Sequence, residues 1–139
     1  MSKIHLYIKD QNIINIPQYE SIYYKQFIEF KNKSVESVYI LDVLDYLDLN
    51  SGQELLKAVY DKLVDGGELI IQGPDFNQLM IAINFNKINS YEGKKIIYDK
   101  RIYMHSLEEI LNKTSRGFEC MIKRYINIFD YYIHCKKHE

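Results

Sequence analysis

The sequence has no tryptophan, two prolines, two cysteines and six glycines in 139 residues, and no glycine precedes Gly52. These shortages exclude several classes of protein. Cys120 and Cys135 are too few for a disulfide framework and too isolated for a zinc site. His5, His105, His134 and His138 show no ligand spacing, so no metal is expected. There is no run of ~18 apolar residues and no apolar N-terminal targeting segment, so no membrane association is expected and the cytoplasm is the expected compartment. A net charge of −1 gives no overall pull toward nucleic acid. What is present is ordinary for a globular chain: 47% hydrophobic and 27% charged residues, expected to form one domain over residues 1–139. The thirteen tyrosines read as compositional drift rather than as function.

The strongest local pattern runs from Val38 to Asp75. A buried run, Val38 to Leu41, leads into Asp42-Val43-Leu44-Asp45. Ser51-Gly52-Gln53-Glu54 reads as a capping box opening a helix whose core stripe is Leu55, Leu56, Val59, Tyr60 and Leu63. Gly66 is expected to end that helix in the left-handed conformation, before a second apolar run, Leu69-Ile70-Ile71, and Gly73-Pro74-Asp75. Two apolar runs joined by a helix predict parallel neighbours with a crossover. Upstream, Ile4, Leu6 and Ile8 alternate as in a strand, and Gln18–Lys31 carries a helical stripe of Tyr19, Ile22, Tyr23, Phe27 and Phe30. Downstream, Phe76–Phe85 reads as a helix and Lys87–Tyr103 as an irregular, locally basic excursion. A second capping box, Ser106 to Glu109, opens a helix that ends at Gly117. Phe118–Ile128 and Tyr131–Cys135 then form an antiparallel hairpin, and Lys136–Glu139 a solvated tail.

Across residues 36–135 this order resembles the later half of a class I S-adenosylmethionine-dependent methyltransferase. Leu41-Asp42-Val43-Leu44-Asp45-Tyr46-Leu47 echoes a family strand end of the form xHVLEHL, with both histidines replaced. Leu63-Val64-Asp65-Gly66-Gly67-Glu68-Leu69-Ile70-Ile71-Gln72-Gly73-Pro74-Asp75 is similar to the family phrase LKPGGxLxIxxPD, and Gly117-Phe118 fits the step before its terminal hairpin. The resemblance implies an α/β fold: a shortened Rossmann-like sheet, mostly parallel, with a C-terminal antiparallel hairpin and helices on both faces. It also implies S-adenosylmethionine as the cofactor.

The first half departs from the family. The family's first strand leads into a GxGxG loop, whose glycines let backbone amides approach the cofactor. Here Tyr7-Ile8-Lys9-Asp10-Gln11-Asn12 stands in that place. Only residues 9–37 separate the first strand from the central one, where the family has a helix and two further strands. The sheet is therefore expected to lack its second and third strands and the acidic residue that holds the cofactor ribose. The first strand would then be an exposed parallel edge, which predicts a homodimer or docking on an active methyltransferase partner.

By position, the resemblance implies Tyr7, Asp42, Val43 and Asp45 as cofactor contacts and Asp42 and Asp75 as catalytic candidates. Asp48 completes the acidic cluster past the central strand, where ligands bind in open α/β sheets. The leading expectation is a degenerate, non-catalytic methyltransferase-like module acting through protein–protein contact. An active methyltransferase with atypical cofactor binding, completed by a partner chain, is the alternative. A third reading takes Lys87, Lys94, Lys95, Lys100 and Arg101, interleaved with Tyr91, Tyr98 and Tyr103, as a phosphate- or nucleic-acid-binding surface.

Overall fold

The computed structural model describes residues 2–8 and 15–138. Residues 9–12, where the cofactor-loop glycines would stand, and the apolar pair Ile13–Ile14 lie outside the described residues. In chain order the elements are β1 (Ser2–Tyr7), β2 (Glu20–Tyr23), β3 (Val35–Leu41), α1 (Leu49–Lys62), β4 (Leu63–Pro74), α2 (Phe76–Asn84), α3 (Ser90–Ile97), α4 (Leu107–Thr114), β5 (Phe118–Tyr125) and β6 (Asp130–Lys137). The strands form one sheet in the order β2-β1-β3-β4-β6-β5. β2, β1, β3 and β4 are parallel. β6 runs antiparallel to β4 and to β5. This is the shortened, mostly parallel sheet with a terminal hairpin that the sequence implies.

The core lies where strand alternation puts its branched residues. Ile4 and Leu6 of β1, Val38 and Ile40 of β3, Leu69 and Ile71 of β4, and Ile133 and Cys135 of β6 line one face. Leu55, Leu56 and Val59 of α1 and Ile110 of α4 close over them. Each buried aliphatic side chain contributes about 1.5–3 kcal/mol, and this layer carries most of the stability. The alternate residues on the other face are mostly polar or aromatic, with Leu41 and the buried Ile70 among them. There the Tyr39 hydroxyl donates to Gln72 Oε1 at 2.6 Å, and the Tyr19 hydroxyl bonds Ser37 Oγ at 2.7 Å.

Several expectations change. Gln18–Lys31 is not a helix: it supplies β2 and a short 3-10 turn, Gln26–Glu29. Gln18 takes a left-handed φ of 70°, which interrupts any helix starting at Pro17. The residues that follow, Ser21-Ile22-Tyr23, are β-branched or aromatic at two of three positions and pair with His5, Leu6 and Tyr7. An unpaired β1 edge offers a ladder of backbone hydrogen bonds that a weak helical stripe does not match. β1 is therefore an interior strand, and one strand, not none, lies outside it.

Asp48, not Ser51, caps α1, its carboxylate accepting the Ser51 N–H at 2.8 Å. The helix ends at Lys62, and Gly66, at φ 75°, sits in the irregular start of β4 instead. The Lys87–Tyr103 excursion contains α3. In the tail Lys137 is 4% exposed, because its ammonium donates to the carbonyls of Tyr60 and Leu63 at 2.6 and 2.9 Å. The capping box at Ser106 and Glu109 is present as read. Cys120 and Cys135 are cross-strand neighbours and both are free thiols, Cys135 buried and Cys120 exposed.

Candidate active-site crevice

β3 ends where open α/β sheets bind their ligands. The Asp42 N–H still donates to the Gln72 carbonyl at 2.8 Å, so the sheet holds Asp42 in place. Its φ of 53° then turns the chain off the sheet into a 3-10 turn, Leu44–Tyr46. Val43 faces the core and is fully buried. Asp42 and Asp45 are left at the strand end, and both meet one residue from far along the chain.

That residue is Arg101. Its Nη1 and Nη2 donate to the two oxygens of Asp42 at 2.6 and 2.9 Å, a bidentate fork. Nη1 also reaches Asp45 Oδ2 at 3.1 Å, and Nε donates to the Ile96 carbonyl at 2.8 Å. The guanidinium lies 4.7 Å from the Tyr46 ring, a stacking distance. Its side chain is 7% exposed and that of Asp45 4%. Burial alone would lower the Arg101 pKa; the hydrogen bonds and charge of Asp42 outweigh it, and the group stays cationic.

The second oxygen of Asp45 extends the network. It accepts the backbone N–H of His105 at 3.0 Å and bonds His105 Nδ1 at 2.8 Å. His105 Nε2 lies 2.8 Å from Lys113 Nζ. An ammonium only donates, so Nε2 is the acceptor and Nδ1 carries the proton. The Asp45 carbonyl accepts from Ile102 and Tyr103 at 2.7 and 3.1 Å, which ties the end of the excursion to the turn. The Tyr46 hydroxyl donates to Asp99 at 2.9 Å, and burial foremost raises its pKa. The result is a continuous chain from Lys113 through His105 and Asp45 to Arg101 and Asp42.

Asp75 is separate from this network. It is 1% exposed; Oδ1 accepts the Gln78 N–H at 2.8 Å and Oδ2 the Leu107 N–H at 2.6 Å. One carboxylate thus caps α2 and holds the start of α4. Tyr7, at the end of β1, places its ring 5.8 Å from that of Tyr23. Asp48 is occupied as the α1 cap. Asp42 and Asp45 are therefore brought together, while Tyr7 and Asp75 belong to other contacts.

As arranged, these residues do not make a cradle for S-adenosylmethionine. Val43 presents no surface, both Asp45 oxygens are bonded, and the Asp42 carboxylate is held by a guanidinium rather than open to a ribose. Sequence reading placed Arg101 on a basic surface and gave His105 and Lys113 no part at the strand end. The available signal was chemical: Arg101 is the one arginine in a lysine-rich excursion, and arginine favours bidentate pairing with carboxylates.

A groove lies elsewhere, between α1 and α4. It has a volume of about 800 Å³ and is bordered by Lys57, Lys113 and Arg116 around Tyr60 and Phe118. Among the described residues no cluster of His, Cys, Asp or Glu is arranged to hold a metal, and no helix is long and apolar enough to cross a membrane.

The architecture has clear counterparts among solved structures. A SAM-dependent methyltransferase from Archaeoglobus fulgidus superposes with a TM-score of 0.65 at 18% identity, over 96% of this chain and 75% of its own. A possible histamine N-methyltransferase from Thermotoga maritima gives 0.58 at 16%, over 86% and 63%. A putative methyltransferase from Haloferax volcanii, solved with the Trm112 methyltransferase activator, gives 0.67 at 9%, over 99% and 73%. The chain thus spans 63 to 75% of the lengths of these three proteins. No protein-family model matches the sequence, and no curated protein matches it. At these identities the likeness defines the fold: class I SAM-dependent methyltransferase-like, Rossmann-like, with a terminal antiparallel hairpin. Among the described residues one four-residue strand, β2, lies outside β1.

Proposed function

We propose that this chain is a degenerate, non-catalytic methyltransferase-like module that acts through protein–protein contact. The observation that carries this reading is Arg101, which closes over Asp42 and Asp45 at the strand end where a cofactor would be expected. The glycine-free sequence after β1 supports it, because a Cβ at such turn positions restricts the backbone and fills space beside a ligand. In titration calorimetry, S-adenosylmethionine is expected to give no saturable heat with the isolated protein. Clear micromolar binding to the monomer overturns the reading.

A second reading has one observation in its favour. The Haloferax volcanii protein of similar fold was solved in complex with a methyltransferase activator, so at least one protein of this shape is seen with a partner chain. On this reading a partner displaces Arg101 from Asp42, and the complex then transfers the methyl group of S-adenosylmethionine to a substrate, leaving S-adenosylhomocysteine. The reconstituted complex is expected to bind the cofactor, and Asp42→Ala to abolish transfer. Failure of every candidate partner to restore cofactor binding removes its support.

A further inference from the structure

The two edges of the sheet are unlike. β2 has four residues, whereas β5 has eight, and every residue of β5 after Phe118 is exposed. Met121, Ile122 and Tyr125 on the strand, with Ile126 and Ile128 just past it, are between 39 and 53% exposed. A long apolar edge of this kind is a template for another strand.

The hydrogen bonds flanking β5 fix which of its backbone groups face outward. His138 N–H donates to the Gly117 carbonyl at 3.0 Å and Ile126 N–H to the Asp130 carbonyl at 3.0 Å. In an antiparallel ladder only alternate residues bond a given neighbour. From those two bonds and the register, Glu119, Ile122 and Arg124 turn their backbone groups toward β6, opposite Lys136, His134 and Tyr132. Phe118, Cys120, Lys123 and Tyr125 turn theirs outward. The register shifts between Cys120 and Ile122, so Met121 is an extra residue. That shift makes the outward set symmetric: Phe118 mirrors Tyr125, and Cys120 mirrors Lys123, about a point between Met121 and Ile122.

Bulges and edge lysines ordinarily discourage strand addition. Here the bulge instead makes the edge self-matching in one antiparallel register. The same register sets Glu119 opposite Arg124 on one face of the sheet, and the twofold repeats that pair. It also sets Phe118 opposite Tyr125 on the other face. Charge and register therefore match a second copy of this strand.

We propose that β5 pairs antiparallel with β5 of a second copy of this chain, about a twofold axis between Met121 and Ile122, with Glu119 of each copy against Arg124 of the other. This rests on the reading of the chain as a protein-contact module and names its partner and surface. It also moves the expected interface from β1 to the opposite edge of the sheet.

The test is the oligomeric state of the full chain by sedimentation equilibrium across micromolar concentrations. A dimer is expected for the unaltered chain. Glu119→Arg and Arg124→Glu each set like charges opposite one another twice, and each is expected to weaken the dimer by about tenfold or more. The double variant restores the opposite pairing and is expected to recover most of that loss. Lys123→Pro removes an outward N–H without removing a bond to β6, so it is expected to give a folded monomer by circular dichroism. A monomer for the unaltered chain overturns the proposal. So does a dimer indifferent to these substitutions, or a double variant no tighter than the singles. Titration of S-adenosylmethionine into the Lys123→Pro monomer tests the non-catalytic reading separately, so the two fail independently.

Discussion

Arg101→Met is expected to lower the unfolding free energy by about 3–5 kcal/mol, the range for removing one partner of a buried ion pair. The guanidinium and the Asp45 carboxylate are almost wholly inside the protein, and the Asp42 side chain is 23% exposed. Without Arg101, two carboxylates share a strand end without the guanidinium that bridges them. The loss also removes the guanidinium's contacts with the Ile96 carbonyl and the Tyr46 ring. Urea unfolding followed by circular dichroism measures it. Adding Asp42→Asn and Asp45→Asn to Arg101→Met is expected to recover part of the loss, because the uncompensated charges go with them. A single variant within about 1 kcal/mol of the unaltered protein shows that Arg101 does not close the crevice. The same variants answer the functional question. A plug that holds the fold together is hard for a ligand to displace, whereas one of small energetic weight is within reach of a partner chain.

Asp75→Ala is expected to cost about 2–4 kcal/mol, from the lost α2 cap and a buried N–H left without an acceptor. Its two oxygens hold the Gln78 and Leu107 N–H groups, and its own N–H donates to the Phe129 carbonyl at 2.8 Å. That last bond survives the substitution, so the loss belongs to the carboxylate. Asp75→Asn is expected to be intermediate, since an amide has one acceptor oxygen for two donors. Thermal melts of the three proteins measure the order. If Asp75→Ala melts with the unaltered chain, the capping role is wrong and the carboxylate is free for chemistry.

How much of this was legible depended on range. β3, α1, β4 and the terminal hairpin come from patterns within a few residues: apolar runs, a helical stripe and a Gly-Gly step. The Ser106 capping box was legible because both of its partners lie within three residues. The α1 cap was misplaced by three positions because Asp48 and Ser51 both suit the start of a helix, and only the observed turn decides between them. β2 was misread because Tyr19, Ile22, Tyr23 and Phe27 fit a helical stripe as well as a strand. Of that stripe, only Phe27 is fully buried. A neighbouring edge with open hydrogen-bonding groups settled the matter, and no local pattern reports it.

The candidate site shows the same division. Asp42 and Asp45 were visible as an acidic cluster at a strand end, but their state was not. Arg101 lies 59 residues from Asp42, and His105 lies 60 from Asp45. A stretch read as an irregular, locally basic excursion supplies the cation that closes the crevice.

The sequence by itself determined the central strand–helix–strand unit and the antiparallel hairpin, because each is encoded by periodicity and turn residues acting over a few positions, and its phrases carried the family resemblance that implies the class of fold. The tertiary structure alone decided that β2 covers β1, that Arg101 binds the two aspartates, and that Asp75 caps two helices. It also decided that β5 is the long open edge. These depend on which distant groups meet, and burial makes such meetings strong by removing the water that would otherwise satisfy each group alone.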